Sequence, residues 1–173
     1  MESSPEEVAR VRELEREAPM RPRGLWKRGQ LDGRDVVFLC GTLGAEFDAW
    51  QRKLSVTSAA DALFSQRIGL NAVEKVMDGL EVEARASLSP DERLQPRWSP
   101  GYGERPLDLS RIILSELDAT KRLGVSLTDT FLLVPSKSVT AVCEITDTPS
   151  FPCQRQVSRP YVNPTDLRVL RTG

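Results

Sequence analysis

Residues Arg97–Gly103 read R-W-S-P-G-Y-G and run on into Glu104-Arg105-Pro106-Leu107. The stretch lies between two segments that read as helices. It gathers an arginine, two aromatics, a proline and two glycines. Pro100 fixes its own φ, while Gly101 and Gly103 can take φ > 0 or let another group come close to the backbone. A loop of this composition has a set shape. Arg97 presents a planar fork of five donors that suits a carboxylate. Tyr102 presents an aromatic face and a hydroxyl. Two readings fit these residue types. One is a site for a small polar ligand with a carboxylate and a group able to stack; the other is a rigid turn over a helix end.

Working outward, Leu107–Leu123 reads as a helix with Leu109, Ile112, Ile113 and Leu117 as its buried face, stopped by Gly124. Leu127–Val134 and Val139–Ile145 read as strands joined at Pro135-Ser136-Lys137-Ser138. A polar hairpin tip accounts for that turn as well as a ligand contact does. Upstream, Val36–Thr42 is a continuous β-prone apolar run, and its length and branching predict a buried strand. Gly44 ends it. Ala45–Leu54 reads as a helix with Phe47, Trp50 and Leu54 near one face.

Thr57 or Ser58 then caps a long helix from Ala59 to about Ala86. Leu63, Phe64, Ile68, Leu70, Val73, Val76, Met77 and Leu80 give it a broad apolar arc, so it is predicted to be central. Gly69 and Gly79 each weaken it by about 1 kcal/mol relative to alanine, which points to close packing or a bend at Gly69. Glu74, Asp78, Glu81 and Glu83 read as its solvated face. Glu74 follows Ala72-Val73 inside the arc. It reads either as structural or as an acceptor for the ammonium of a bound amino acid.

At the N-terminus, Ser4-Pro5-Glu6-Glu7 carries an N-cap, a proline at the first helical position and the glutamate of a capping box. The helix should run to about Glu17. Its few apolar positions, Val8, Val11 and Leu14, predict a lid or a solvated helix. Met20–Gly24 reads as a connector, Leu25–Arg28 as a short edge strand before an Asp32-Gly33 turn, and Ser87–Pro96 as a polar loop. Residues 1–145 are expected to form one domain. Residues 146–173, with Pro149, Pro152, Pro160 and Pro164 and a local excess of arginine, are expected to be an irregular tail.

Composition narrows the function. The 173 residues carry 39% hydrophobic and 28% charged residues and a formal net charge of −1, which gives no global basic excess for nucleic acid or an anionic membrane. No run approaches a membrane span, so a cytoplasmic protein is expected. Three cysteines, Cys40, Cys143 and Cys153, have no close spacing and read neither as a disulfide framework nor as a metal site. Histidine is absent, which removes the usual general base and the commonest transition-metal ligand. No catalytic residue is assigned on the chain itself. Any chemistry is expected to rest on a bound cofactor held in place.

The order R-W-S-P-G-Y, helix, Leu127-Thr128-Asp129, strand, Pro135-Ser136-Lys137-Ser138-Val139 and strand resembles the AdoMet-binding activation domain of cobalamin-dependent methionine synthase. Thr42-Leu43-Gly44 with Glu46 and Asp48, Val56-Thr57-Ser58, Ile68-Gly69 and Ala72-Val73-Glu74 are similar to its stand-alone relatives, so the resemblance spans about Val36–Ile145. It implies an α+β fold, a mainly antiparallel sheet packed with helices. It implies S-adenosyl-L-methionine as cofactor. Arg97 would grip its carboxylate, the backbone around Ser99, Pro100 and Gly101 would hydrogen-bond it, and Tyr102 would lie against the sulfonium or ribose. Glu74 and Ser138 would also face it, Ser138 as a hydrogen-bond donor, and Lys137 would face solvent or a partner.

The resemblance further implies a partner, the cobalamin-carrying methionine synthase core, whose cob(II)alamin form is reductively remethylated with a flavodoxin-type electron donor. The chain would then be a component of a methyltransferase that acts by positioning. Two alternatives stand beside this reading: a non-catalytic docking protein that reuses the fold, or a reactivator of another corrinoid protein.

Overall fold

A computed structural model describes residues 4–103 and 105–147, together with the backbone of 168–171. Its architecture follows from strand β2, Arg34–Thr42. Val37 and Leu39 of β2 pack with Val73, Val76, Met77 and Leu80 of helix α3, Ala59–Ala86. Val36, Phe38 and Cys40 pack with Ile113 and Leu114 of α4, Leu109–Glu116, and with Ala119 and Leu123 of α5, Ala119–Leu123. Side chains alternate across a strand, so a strand covered on both faces is apolar at every position. That is why the run Val36–Cys40 contains no polar residue.

The remaining strands are β1 (Arg23–Leu31), β3 (Arg93–Leu94), β6 (Ser138–Thr146) and β7 (Arg168–Arg171). The sheet order is β3-β6-β2-β1-β7. All pairs are antiparallel except β1 with β7. The fold is therefore α+β, as the sequence predicts. β1 and β2 form a hairpin through Asp32 and Gly33, whose φ values of 52° and 75° suit a two-residue turn of the kind that matches strand twist. Helix α3 lies directly on the sheet. A Cβ on Gly41 would stand 2.9 Å from both Met77 Sδ and Val76 Cγ1, so only glycine permits that approach.

The helix starts agree with the capping signals. Helix α1, Pro5–Glu17, has the full Ser4–Glu7 capping box. In α3, Ser58 accepts from the Asp61 N–H at 3.2 Å. Helix α2 runs Ala45–Thr57, slightly longer than expected. Helix α1 is solvated over most of its length, yet Leu14 is fully buried, so one turn of it belongs to the core.

Four expectations are corrected. The stretch Leu107–Leu123 is two helices, broken where Asp118 takes φ 49°. Ile112, expected inside, is exposed. Leu127–Val134 is not one strand but a small hairpin, β4 (Ser126–Leu127) with β5 (Leu133–Val134). The Thr128 side chain folds its tip, accepting from Leu132 N at 3.1 Å, while Thr128 N donates to Leu132 O at 2.9 Å. Leu63 and Leu70 of the apolar arc are exposed, because the sheet covers only the face carrying Val73, Val76, Met77 and Leu80.

The expected short edge strand at Leu25–Arg28 spans nine residues, and Leu25 is buried. Within the segment read as an irregular tail, the backbone of Arg168–Arg171 adds in parallel to β1. The outer edge of β1 offers unpaired backbone groups, and strand addition satisfies them. Residues 148–167, Cys153 among them, lie outside the described residues. No helix among the described residues is long and apolar enough to cross a membrane.

Candidate functional site

The Arg97–Gly103 loop is anchored to β6, on the side of that strand where β3 also pairs. Trp98 N donates to Val142 O at 2.9 Å and Val142 N to Trp98 O at 2.8 Å, so the chain enters the loop as an extra strand residue beside β6. It then turns away. Gly101 and Gly103 have φ of 87° and 64°, in the region that favours glycine, and Gly101 N donates to Arg105 O at 2.9 Å. The Arg105 guanidinium stacks 3.8 Å above the Trp98 ring. Trp98 Nε1 and Arg105 Nη1 are buried, and neither has a hydrogen-bond partner among the described residues.

Arg97 is held by α3. Glu74, Asp78 and Glu81 stand at i, i+4 and i+7, one face of the helix. Arg97 Nη1 donates to Asp78 Oδ1 at 2.8 Å and to Glu81 Oε1, and Nη2 donates to Glu74 Oε2. The Arg97 side chain is only 11% exposed, whereas Glu74 is 51% exposed. Burial pulls the Arg97 pKa down, but the hydrogen bond to Asp78 and the charge and hydrogen bond of Glu81 outweigh it, and the net shift is upward. Asp78 and Glu81 are thus not simply a solvated face.

Beside this cluster lies an open cleft of about 760 Å³. Of the residues singled out from sequence, Glu74, Arg97, Ser99, Pro100, Tyr102 and Ser138 line it; Gly101 shapes the loop behind it without lining it. Tyr102 is 76% exposed at the mouth. The other lining residues were not anticipated as site residues. Phe131, Leu132 and Leu133 of the β4–β5 hairpin, with Leu70 and Leu107, give an apolar side. Ser110, Ser136 and Thr140 give hydroxyls, and Ser110 Oγ lies 3.0 Å from Thr140 Oγ1.

The Pro135–Ser138 segment is fastened from below. Ser138 Oγ donates to Thr42 Oγ1 at 2.8 Å, so the hydroxyl expected to donate to a ligand is left as an acceptor. Leu43 N donates to Lys137 O at 3.0 Å. Lys137 does not simply face solvent. Its Nζ donates to Gln66 Oε1 at 2.5 Å, and burial lowers its pKa. Asp48 of α2 accepts from Ser136 N at 2.7 Å and from Ser136 Oγ at 2.8 Å. Among the described residues no group of three or more His, Cys, Asp or Glu is arranged to hold a metal ion.

The chain shares its fold with a domain of known structure. No family model matches it, and no curated protein matches it. A solved structure does: the MetH reactivation domain bound to AdoHcy superposes with a TM-score of 0.52 at 16% sequence identity. In fold, this chain resembles the MetH reactivation domain. The match covers 64% of the chain and spans 39% of the length of the solved one. The likeness is one of fold. It agrees with the α+β class and with the helix-packed antiparallel sheet described above.

Proposed function

We propose that the cleft binds S-adenosylmethionine and that the chain presents it for the reductive reactivation of a cobalamin-dependent methionine synthase core. The observation that carries this reading is convergence. Glu74, Arg97, Ser99, Pro100, Tyr102 and Ser138 come from separate stretches of sequence and border one cleft, in a fold like that of a domain solved with AdoHcy.

The residues fit the ligand's chemistry. An amino-acid end carries both a carboxylate and an ammonium. The Arg97–Glu74 pair offers the complementary charges, and Glu74 is half-exposed, so water can solvate its carboxylate when the pair opens. The ligand carboxylate then takes the place of Glu74 on Arg97, and Glu74 receives the ammonium. Asp78 and Glu81 keep the guanidinium fixed throughout. Tyr102 offers a face to the sulfonium, whose positive charge favours an aromatic ring. Trp98 Nε1, without a hydrogen-bond partner among the described residues and on a residue that lines the cleft, adds a donor seeking an acceptor.

In this reading the corrinoid is carried by the partner and accepts the methyl group, and a flavodoxin-type protein supplies the electron. This chain binds and orients the methyl donor and excludes water. The test is reconstitution. An oxidised corrinoid core lacking an activation domain is mixed with a one-electron reductant and AdoMet, with and without this chain. Recovery of methyl transfer only when the chain is present supports the reading. Recovery of equal size without it contradicts the reading.

A second reading, a docking module that binds no AdoMet, draws on one observation. Arg97 already has three carboxylates around it, while Leu70, Tyr102 and Leu132 stand exposed at the rim, 58%, 76% and 62% respectively. Such a rim suits a protein partner.

A further inference from the structure

The wall of the cleft formed by Ser136 and Ser138 depends on a residue outside the cleft. Asp48, in the first turn of α2, accepts from both the backbone N–H and the hydroxyl of Ser136, at 2.7 and 2.8 Å. It does not line the cleft, whereas Ser136, Ser138 and Thr140 do. Both oxygens of one carboxylate are therefore spent on one residue of the turn, a two-point grip that fixes position and rotation together. The next residues are tied as well, Lys137 O to Leu43 N and Ser138 Oγ to Thr42 Oγ1. Those ties lie along the paired ends of β2 and β6, where Thr42 sits opposite Ser138. Ser136 precedes β6, and Asp48 is what reaches it. Among the charged groups nearby, Lys137 sends its Nζ to Gln66, and the Asp48 charge acts on it electrostatically, opposing the effect of its burial.

We propose that Asp48 is the positioning residue of the ligand cleft: it acts through Ser136 to hold the Pro135–Ser138 turn in the geometry that binds ligand. The proposal rests on the AdoMet reading of the same cleft. Removing the grip leaves the fold in place, because β6 remains paired with β2 and β3 and α2 remains packed through buried Phe47. It frees the turn, and the turn must then be ordered again each time ligand binds.

The experiment is a titration of the full chain with AdoMet in four forms: unmodified, Asp48→Asn, Asp48→Glu and Glu46→Gln. Asn is nearly isosteric, but its carboxamide accepts with one oxygen only. Glu46 lies on the same turn of α2, pairs with Arg21 and does not touch the Pro135–Ser138 turn, so its variant controls for loss of charge. Asp48→Asn is expected to weaken AdoMet binding about tenfold, as loss of a hydrogen bond to a charged group does. Its thermal midpoint should stay close to that of the unmodified chain, and exchange of the Ser136 amide should accelerate. Glu46→Gln is expected to bind as the unmodified chain does. Asp48→Glu, which keeps both acceptors on a longer stem, is expected to recover part of the loss.

Unaltered binding by Asp48→Asn overturns the inference and leaves the AdoMet reading standing. An equal loss in Glu46→Gln also overturns it, since charge rather than grip would then be responsible. Absence of binding by the unmodified chain overturns the AdoMet reading, and the inference falls with it.

Discussion

Arg97 Nη1 stands 2.8 Å from Asp78 Oδ1, and the same guanidinium also meets Glu74 and Glu81. One buried cation thus ties the ligand loop to about two turns of α3. Removing it takes the guanidinium away from Asp78 and from the largely buried Glu81. Arg97→Ala is therefore predicted to lower folding stability by about 2 kcal/mol or more. Urea unfolding at neutral pH measures it. A change within about 0.5 kcal/mol would mean that the cluster is only a surface network.

Gly69 is predicted to resist even alanine. Alanine favours a helix interior by about 1 kcal/mol over glycine. Here its Cβ would lie 2.6 Å from Cε1 and 2.8 Å from Cζ of Phe47, a fully buried ring. Overpacking of this kind costs about 1–3 kcal/mol and outweighs the gain. Chemical denaturation of Gly69→Ala should show net destabilisation. A stabilised variant would show that Phe47 moves aside freely.

Stability should fall in acid in a way that involves Glu92. The hydrogen bond from the Arg28 guanidinium, helped by the Ser89 N–H and hydroxyl, holds its carboxyl down at about 2. In the folded state Glu92 takes its proton less readily than in the unfolded chain. Its contribution is complete above the ordinary glutamate value near 4.5 and is lost as pH falls from there through about 2. Thermal midpoints recorded across that window should drop less steeply for Glu92→Gln than for the unmodified chain. Parallel curves would remove Glu92 from the acid response.

Burial pushes the thiols of Cys40 and Cys143 up to about 12. Thiolate is the reactive form, so neither should label in the folded protein at neutral pH. Peptide mapping after brief treatment with a thiol reagent should find both unmodified, and both labelled once the chain is unfolded. Rapid native labelling at either would contradict the two-sided burial of β2 and β6.

Much of this fold was legible in the sequence, and for identifiable reasons. Val36–Cys40 is apolar throughout because both of its faces are covered, and that is visible in composition alone. The starts of α1 and α3 were legible because Ser4 and Ser58 cap them with their own side chains. The break at Asp118 was not. No proline or glycine marks it, and the apolar pattern continues across it. The β4–β5 hairpin was hidden because Leu127–Val134 reads as one strand, while its turn is closed by Thr128 through both its hydroxyl and its backbone N–H. In the cleft, Arg97 and Glu74 stood out by residue type. The role of Asp78 and Glu81 did not, since their spacing shows a shared face but not the guanidinium that meets it from outside the helix. Asp48 was invisible as a positioning residue because its partner, Ser136, is far away along the chain.

The central claim is that the cleft binds S-adenosylmethionine, and isothermal titration tests it most directly. The purified chain is titrated with AdoMet, with S-adenosylhomocysteine and methionine as controls, alongside Arg97→Lys and Tyr102→Ala. Tyr102 is exposed and unneeded for the core, and lysine keeps the charge of Arg97 while losing its fork. The account predicts saturable binding of one AdoMet per chain, weakened at least tenfold in each variant. No binding to the folded chain, or binding indifferent to both substitutions, would contradict it.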